Sequence, residues 1–353
     1  MNSEQNNGPS QGQGFEGQEQ LYSPIQSGQP AAAPKKKRVG WKIFWGIIFV
    51  LSVLGNIALF LILIGVIAFF AAGRDDILAE DVIQKGPRTS KIAMITVQGI
   101  IDDEQSRDFY EQLKSAREDK NVKGVIVRVN SPGGAVSSSD QIHNEISRYR
   151  EKTGEPVVAF MQGLAASGGY YISVPCDRIV AEPTTITGSV GVLMGHFVLQ
   201  GLLEEKLGIQ PEIVKSGLKK DWPSPFKPMT EEQRKYIEDK LITPAYERFV
   251  QLVADGRSEL TLEDVKRLAD GSIYGAQEAL DEKMIDRIGY MAEAIEEVKS
   301  LAGLEEAQVV EYGKPFSWSS ILGAGAWGIT KIDKSTLYEL SAPEVLYLWY
   351  AYQ

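Results

Sequence analysis

Two glycine-containing turns hold the residue types with which this chain could do chemistry. The first spans residues 130–134, after the valine-rich run 124–129, and the second spans residues 163–169, after the apolar run 156–161. Ser167 lies in the second turn between small residues. A serine at a strand end that leads into a helix can lie exposed at the helix N-terminus, where backbone N–H groups and the helix dipole favour developing negative charge. The pattern therefore makes Ser167 a candidate nucleophile.

The glycines of both turns are candidates for stabilising an oxyanion. The backbone N–H of Gly168, together with one from Gly133 or Gly134, could donate to the oxygen that becomes negative during acyl transfer. Either turn alone is at least as typical of an ordinary tight turn, since Gly-Gly turns after strands are common. The two turns together, in consecutive strand–helix units, are more specific but do not decide between these interpretations.

A serine nucleophile needs a base to accept its proton. The chain has only two histidines. His143 falls on the helix predicted after the first turn and His196 in a Gly- and Met-rich loop, and neither has an obvious carboxylate partner at a strand end. This disfavours a Ser-His-Asp triad. A lysine is the alternative base, and it must be neutral, a state that burial favours by lowering the lysine pKa.

The region that must position these turns alternates short β-branched runs with amphipathic helical patterns. We predict strands over residues 91–97, 122–129, 156–161, 178–181 and 212–215, and helices over 104–118, 138–151, 230–254, from 261 onward, 275–283 and 291–301. This alternation predicts an α/β fold with a parallel sheet. The run 124–129 hardly alternates in polarity, as expected for a strand covered on both faces.

The N-terminal part has a different composition. Residues 1–40 are largely polar, and we expect a disordered cytoplasmic tail. The run Ile43–Ala72 has 30 residues without a charge, whereas about 20 apolar residues suffice to span a bilayer. We therefore predict a transmembrane helix over residues 41–72. A cleavable signal peptide is the alternative, but its apolar region is usually about 7–15 residues long.

The basic cluster Lys35–Arg38 precedes the apolar run, and Lys and Arg beside a span favour the cytoplasmic side. We therefore expect a single-pass protein of the cell membrane with a cytoplasmic N-terminus and an extracytoplasmic domain. A linker over residues 73–90, a folded domain over 91–310 and a loosely attached tail over 311–353 complete the predicted organisation. A nuclear or nucleic-acid patch is the weaker interpretation of the basic cluster.

Charge and cysteine content exclude some function classes. The chain has a net charge of −10, with 37 basic and 47 acidic residues, which argues against a nucleic-acid partner. Its one cysteine, Cys176, excludes an intramolecular disulfide. Cys176 follows a proline in an apolar setting, so we expect a buried structural thiol. We expect neither a metal nor a cofactor.

Three sequence boxes in a fixed order resemble a known family. They are residues 166–172 (ASGGYYI), 187–192 (TGSVGV) and 215–221 (KSGLKKD). They are similar to those of signal peptide peptidase A, a family of Ser–Lys proteases with a ClpP/crotonase-like fold. The resemblance runs from about Lys91 to Ala302 and includes the segment Asp270–Tyr274 (DGSIY). The short single-repeat length is that of the Gram-positive type. It implies an α/β core of repeated ββα units with a parallel sheet.

The resemblance also implies roles for individual residues. Ser167 would be the nucleophile, the Gly168 N–H an oxyanion donor, and Lys220 the general base, buried between Ser167 and Ser189. Ser189 would form a hydrogen bond with the lysine amine. The neighbouring Lys219 departs from the family, which often has an aromatic residue or histidine there. Without the serine box, this lysine pair would be better explained as a solvated basic loop.

The substrate and assembly follow from the resemblance together with the predicted anchor. They imply a membrane-anchored endopeptidase that degrades remnant signal peptides and other hydrophobic peptides outside the cytoplasmic membrane. Homo-oligomeric rings, commonly octamers, are implied as well. One alternative is a crotonase-like acyl-CoA enzyme, which would need a catalytic carboxylate and a basic adenine-binding surface. Another is a non-catalytic membrane scaffold, which predicts loss of the serine or the lysine, although both are present.

The C-terminal residues 342–353 have one charge and many large apolar side chains. Exposed to water, they would form an apolar patch of the kind that marks an interaction site. Such a segment can pack on its own domain, on a neighbouring subunit, or in the substrate groove as an added strand. Our hypothesis is that it occupies or approaches the groove and restrains activity, and ordinary subunit packing is the alternative.

Overall fold

The computed structural model describes residues 39–72, 79–313 and 344–349. Compactness divides the chain into a unit of residues 1–68 and a unit of residues 69–353. The first unit contains most of helix α1 (Val39–Ala72). Within α1, the stretch Gly40–Ile67 has a mean hydropathy of 2.9 and none of it is buried. Its length and composition would allow it to cross a membrane, and a signal sequence has the same properties.

The second unit holds all the strands and the remaining helices of the described chain. Its strands are β1 (Ala79–Gln84), β2 (Lys91–Ile101), β3 (Val122–Ala135), β4 (Val157–Ala166), β5 (Arg178–Ala181), β6 (Ile186–Gly188), β7 (Leu193–Gly195), β8 (Ile273–Gly275), β9 (Arg287–Ile288), β10 (Gln308–Gly313) and β11 (Glu344–Leu348). Its helices are α2 (Asp103–Glu118), α3 (Val136–Thr153), α4 (Gly168–Ser173), α5 (Glu231–Ile237), α6 (Thr243–Gly256), α7 (Leu262–Leu268), α8 (Ala276–Asp281) and α9 (Met291–Ala302). A π-helical segment, Glu238–Ile242, joins α5 to α6, another spans Leu202–Lys206, and a 3-10 turn spans Leu218–Asp221.

The sheet is mostly parallel. Its main path runs β1-β10-β2-β3-β4-β5-β9, and only the β1–β10 pair on this path is antiparallel. Near the carboxyl end of β4, β6 pairs with it in parallel, and β8 adds to β6. Strand β11 lies antiparallel between β3 and β7. Because ligands of open parallel sheets bind at the carboxyl ends of the strands, this end is where a site is expected.

Helices cover both faces of the central strands. On one face, Ala93, Val125 and Val127 belong to a large buried cluster with side chains of α2, α3, α4 and α6. On the other face, Ile126 and Val158 belong to a smaller cluster with side chains of α9. Alternate residues of one strand are thus buried on opposite sides, which explains why the run 124–129 shows little alternation of polarity.

The α/β fold with a parallel sheet is confirmed, and so are the strands predicted at 91–97, 122–129, 156–161 and 178–181. The strand predicted at 212–215 is wrong. These residues form an exposed loop without ladder partners among the described strands, so their β-branched side chains do not enter the sheet. Phe109, on α2, is buried in the core, and Cys176 is buried, as predicted.

The domain limits differ slightly from those expected. Strand β1 lies within the predicted linker 73–90, and β10 continues to Gly313, beyond the expected end at 310. Both join the sheet because β1 pairs with β10 and β10 pairs with β2. Part of the predicted loose tail is strand β11. The predicted polar tail before Val39 and the rest of the C-terminal tail lie outside the described residues.

Candidate active site

Ser167 lies between the end of β4 and the start of α4, with only 1% of its surface exposed. Its backbone has φ 54° and ψ −112°, a conformation that costs a non-glycine residue roughly 1–3 kcal/mol. Two hydrogen bonds hold it there: the Ser167 N–H donates to the Gly188 carbonyl at 2.7 Å, and the Tyr171 N–H donates to the Ser167 carbonyl at 2.8 Å. The fold therefore imposes a strained, fixed orientation on this serine.

The two predicted glycine turns lie against each other at the carboxyl end of the sheet. A Cβ on Gly168 would lie 3.0 Å from Gly133 Cα and 3.1 Å from the Gly134 nitrogen. A Cβ on Gly133, whose φ is 100°, would lie 2.7 Å from the Gly168 nitrogen. The backbones approach this closely because neither residue has a side chain. The hydroxyl of Ser131 fixes the first turn by donating to the Gly99 carbonyl at 2.6 Å and accepting from the Gly133 N–H at 3.0 Å.

Ser189 follows β6 and is the second serine with a positive φ, 49°. Its N–H donates to the Ser272 carbonyl at 2.7 Å, which joins it to the segment leading into β8. Ser167 and Ser189 both line one cavity of about 470 Å³. Other residues along it are Val192, Leu193, Tyr246, Asp270, Leu348 and Trp349.

Some of the residues around this cavity were not expected from the sequence. Tyr246 belongs to α6, whose sequence signals only an amphipathic helix, so no local motif identifies it. Asp270 and Gly271 belong to the Asp270–Tyr274 segment of the family resemblance, and that segment was the available signal. It meets Ser189 because Gly188, with φ 80°, lies against Tyr274.

Neither histidine lines the cavity that contains Ser167. His143, on α3, packs edge-on against the Tyr171 ring, with ring centroids 5.4 Å apart. Burial lowers the pKa of His143 to about 4, and the Asp140 carboxylate opposes this only in part. The Nε2 atom of His196 is buried without a hydrogen-bond partner among the described residues. Among the described residues, therefore, no histidine lies in the wall of the cavity where it could act as the base for Ser167.

The lysine box is held by ion pairs and ring contacts. Asp221, at the end of the 3-10 turn, accepts from Lys215 at 2.6 Å and from Lys227 at 3.0 Å. Hydrogen bonds from these two lysines, Lys215 first, lower the pKa of the Asp221 carboxyl. The Lys219 ammonium lies 4.1 Å from the ring centroid of Tyr236 and 5.3 Å from that of Trp222. These distances are typical of cation–π contacts, so the Lys219 ammonium already interacts with two aromatic rings.

Lys220 is exposed on the same turn and does not line the cavity with Ser167 and Ser189. The buried position between the two serines that was expected for it is not present in the single chain. The physical reason is the course of the preceding segment, residues 197–218. It follows the surface with large apolar side chains in solvent, among them Val214, which is 96% exposed, Phe197 and Leu218.

The C-terminal strand β11 lies beside the cavity. It continues the ladder of β3 in antiparallel pairing, with Tyr347 opposite Gly134 and Leu348 opposite Gly133. On its other side it pairs with β7, where Val345 lies opposite Met194. The Trp349 N–H donates to the Pro132 carbonyl at 2.9 Å. The tail thus reaches the groove at the first glycine turn, as hypothesised from its composition.

A metal centre finds no support in the described part of the chain. Among residues 39–72, 79–313 and 344–349, no group of three or more His, Cys, Asp or Glu side chains is placed to hold an ion. Cys176, the only thiol, is buried, and burial raises its pKa, so it is poorly suited to nucleophilic work.

Two protein-family models and several curated proteins match this chain in sequence. The model of Peptidase family S49 matches residues 149–305, and that of Clp protease matches residues 79–184. A candidate signal peptide peptidase SppA of Enterococcus faecium is 39% identical over 246 residues, covering 67% of this chain and 70% of the relative. The chloroplastic serine protease SPPA of Arabidopsis thaliana is 32% identical, over 74% of this chain and 38% of the relative.

A solved structure is also similar, although its TM-score is only 0.40: a mutant of ClpP1 from Listeria monocytogenes, which is 20% identical over 57% of this chain and 94% of that chain. The sequence relatives carry the assignment. With 39% identity over 70% of the Enterococcus protein and a serine on a strained turn at the carboxyl end of a parallel sheet, the chain belongs to Peptidase family S49 and is a serine protease of the signal peptide peptidase type.

Proposed function

We propose that the protein is a membrane-anchored serine endopeptidase in which Ser167 is the nucleophile and Lys220 is the general base. The observation that carries the proposal is the close approach of the two glycine turns beside a strained serine. The Gly168 nitrogen lies next to Gly133 and Gly134, at the turn that bears Ser167 and its cavity. Family membership disfavours the acyl-CoA enzyme considered from the sequence, and the retained serine and lysine disfavour a non-catalytic scaffold.

The proposed chemistry is acyl transfer. Ser167 Oγ attacks the scissile carbonyl carbon and gives its proton to the neutral amine of Lys220. The oxyanion accepts hydrogen bonds from the Gly168 N–H and from the N–H of Gly133 or Gly134. The lysine then passes the proton to the leaving amine, and a water molecule hydrolyses the acyl-enzyme by the reverse route. Ser189 orients the lysine amine through a hydrogen bond.

The choice of Lys220 over its neighbours is supported by their contacts. Lys215 and Lys227 both bind the Asp221 carboxylate, and Lys219 lies over two aromatic rings. Lys220 has no ion pair or ring contact among the described residues. A lysine without such a partner can move its amine into another environment without first breaking an ion pair.

We further propose that the dyad forms between copies of the chain in a homo-oligomeric ring. One copy supplies Ser167 and Ser189, and a neighbouring copy supplies Lys220. The exposed apolar side chains of residues 197–218, which lead to Lys220, support this arrangement, because contiguous apolar surface marks an interaction site. Seating this segment on a neighbour would bury both the apolar surface and the lysine amine, and burial favours the neutral amine.

The proposed substrates are remnant signal peptides and other hydrophobic peptides outside the cytoplasmic membrane. Two observations support this: the apolar helix Gly40–Ile67 is compatible with membrane association, and the cavity beside Ser167 is partly lined by Val192, Leu193 and Tyr246. Backbone pairing along β3 would hold an extended peptide, while side-chain pockets would choose its residues.

The test is hydrolysis of apolar peptides by the full-length protein in detergent, with Ser167→Ala as the matched control. Hydrolysis by the wild type that is absent from Ser167→Ala is the expected result. Equal hydrolysis by both proteins would contradict the proposal. A coenzyme A binding measurement on the same sample would give a positive result only for the alternative acyl-CoA enzyme.

A further inference from the structure

Two polar side chains interrupt the apolar run of α1. Between Ile43 and Ala72, every residue other than Ser52 and Asn56 is aliphatic, aromatic or glycine. Both lie well inside the candidate span Gly40–Ile67, so every window of about 20 residues within this stretch contains both. A side-chain amide at that depth finds no water, and a polar group without a partner in hydrocarbon costs free energy. Polar side chains in such positions therefore point to an interaction.

The Asn56 carboxamide is only partly satisfied by its own helix. One N–H donates to the Ser52 carbonyl at 2.7 Å, one helical turn earlier. A carboxamide has a second N–H and an oxygen that accepts. In the part of the chain that the structure describes, Asn56 makes no other hydrogen bond, and its side chain is exposed. A donor and an acceptor therefore remain available on the helix surface for a group outside this chain.

The surface around Asn56 allows a second helix to come close. Ser52 and Asn56 are four residues apart and lie on the same side of α1, with Gly55 at the margin of that side. A Cβ on Gly55 would meet nothing within 4 Å, so no described side chain covers this surface. Small residues in such positions let two backbones approach closely enough for side chains to bond across the helices. We name the surface formed by Ser52, Gly55, Asn56 and Leu59 the polar face of α1.

A second copy of α1 fits the polar face because a carboxamide is self-complementary. Two facing Asn56 side chains can each donate an N–H to the oxygen of the other, which satisfies the remaining groups of both. Copies of one protein enter a membrane in the same orientation, so their helices are parallel and the two amides lie at the same depth. The homo-oligomer proposed above would also raise the local concentration of the helices.

We propose that the polar face of α1 pairs with the same face of a second copy, with the two Asn56 carboxamides hydrogen-bonded to each other inside the membrane. This contact between copies is separate from the one proposed for residues 197–218. It fixes the register of the two helices, as a single asparagine does in paired helices in water. The inference rests on the proposed membrane anchoring.

Disulfide formation between introduced cysteines tests which faces of the helices meet. Leu59→Cys and Leu61→Cys are a matched pair, because both replace a leucine at nearly the same depth but about 200° apart around the helix. Each full-length protein is oxidised briefly in the membranes of the expressing cells, and linked dimers are measured on a non-reducing gel. The wild type controls for the buried Cys176, which all the proteins share. We expect linkage through position 59 and little through position 61.

Removal of the amide tests the hydrogen bond itself. Asn56→Leu, added to the Leu59→Cys protein, takes away the carboxamide and makes the helix more apolar, so insertion into the membrane is retained. Hydrogen bonds between membrane helices change association about three- to thirtyfold, and the initial rate of linkage should fall by a factor in that range. Ala58→Leu, on the opposite side of the helix, is the matched control and should leave the rate within about twofold.

Preferential linkage through position 59 that Asn56→Leu weakens supports the proposal. Equal linkage through the two positions, no linkage through either, or a rate unchanged by Asn56→Leu overturns it. The proposed function fails in a different way. A protein that has lost α1, or that alkaline extraction releases from the membranes, contradicts the anchoring and the pairing together. An anchored protein that hydrolyses peptides through Ser167 but shows no preferred helix face contradicts only the pairing.

Discussion

The two sides of the proposed dyad differ in how completely one chain builds them. On the nucleophile side, Ser167 is buried, its backbone is fixed by two hydrogen bonds, and the glycine turns that follow β3 and β4 lie against each other there. On the lysine side, Lys220 is exposed on a short 3-10 turn after a segment with apolar side chains in solvent. Both sides contain sequence boxes of the family, but in the single chain only Ser167 is buried and held in place by its surroundings.

The two sides differ because different parts of the structure hold them in place. The nucleophile side is positioned by neighbouring parallel strands, so the interior of a single sheet determines its geometry. The segment before Lys220 is not a strand and has no comparable core behind it. The strong local contacts of its box are the Asp221 ion pairs and the rings under Lys219. A side without a buried core of its own is the one that assembly is expected to complete.

The largest expected effect is the loss of the nucleophile. Ser167→Ala should lower peptide hydrolysis by at least about a thousandfold, because nucleophile and base act as one unit. Thermal unfolding should change little, since the substitution removes a single hydroxyl oxygen and retains the packing of the side chain. Measured kcat on an apolar peptide, with the melting temperature as the folding control, checks both statements. Appreciable activity in a folded Ser167→Ala protein would place the chemistry elsewhere.

Lys220→Ala should cause a loss of similar size if this lysine is the base. Lys219→Ala is the matched control and should keep most activity, because its ammonium contacts the Tyr236 and Trp222 rings rather than reacting atoms. Kinetics of the two variants at one pH are sufficient. An inactive Lys219→Ala beside an active Lys220→Ala would reverse the assignment.

Mixing the two inactive variants distinguishes a dyad within one chain from a dyad between chains. If the serine and lysine come from neighbouring copies, rings assembled from equal amounts of Ser167→Ala and Lys220→Ala contain intact pairs. Random mixing should then restore about a quarter of wild-type activity, since half of the copies supply each partner. Dissociation and reassembly before the assay are needed. A mixture as inactive as its components would show that both groups act from one chain.

Deletion of residues 342–353 should raise turnover several-fold, because β11 covers the groove beside Ser167 and competes with peptide for the β3 ladder. Oligomer size must be measured on the same sample by light scattering. Higher turnover at unchanged size supports restraint by the tail. Unchanged turnover, or collapse of the oligomer, would favour ordinary packing as the tail's role.

The sequence was sufficient for features encoded by local pattern. Valine-rich runs, amphipathic spacing and paired glycines predicted the parallel strands and the approach of residues 130–134 to the Ser167 turn, because those signals depend on neighbours in the chain. The false strand at 212–215 arose from the same kind of signal. Its β-branched residues resemble a strand, but no described strand pairs with them.

The features that the sequence did not indicate depend on distant parts of the chain. Tyr246 reaches the cavity only because α6 packs beside it, and Tyr347 finds its pocket through Tyr171, Phe249 and Ala245, all about a hundred or more residues away. The composition of the tail indicated that its apolar side chains must be buried against another surface, but not which side chain enters which pocket. The sequence also did not indicate that Lys220 is exposed in the single chain, because a sequence motif does not show which surface, if any, covers its side chains.

Substitution of His143, which packs against the Tyr171 ring, should have the smallest effect on activity. His143→Phe keeps a ring against Tyr171 and should leave turnover at neutral pH within about twofold, because the histidine does not line the Ser167 cavity.

The effect of His143→Phe on stability should instead depend on pH. The folded-state pKa of His143 is lowered to about 4 by burial, whereas the unfolded chain takes up the proton near a pKa of about 6.5. The unfolded state therefore binds more protons between these values, and the free energy of unfolding falls as the pH drops from about 6.5 toward 4. Below that window the loss should reach roughly 3 kcal/mol. The His143→Phe protein lacks this contribution, so its denaturation curves between about pH 7.5 and 4.5 should show a shallower loss than those of the wild type. Parallel losses in the two proteins would mean that His143 takes up its proton equally well in the folded and unfolded chains.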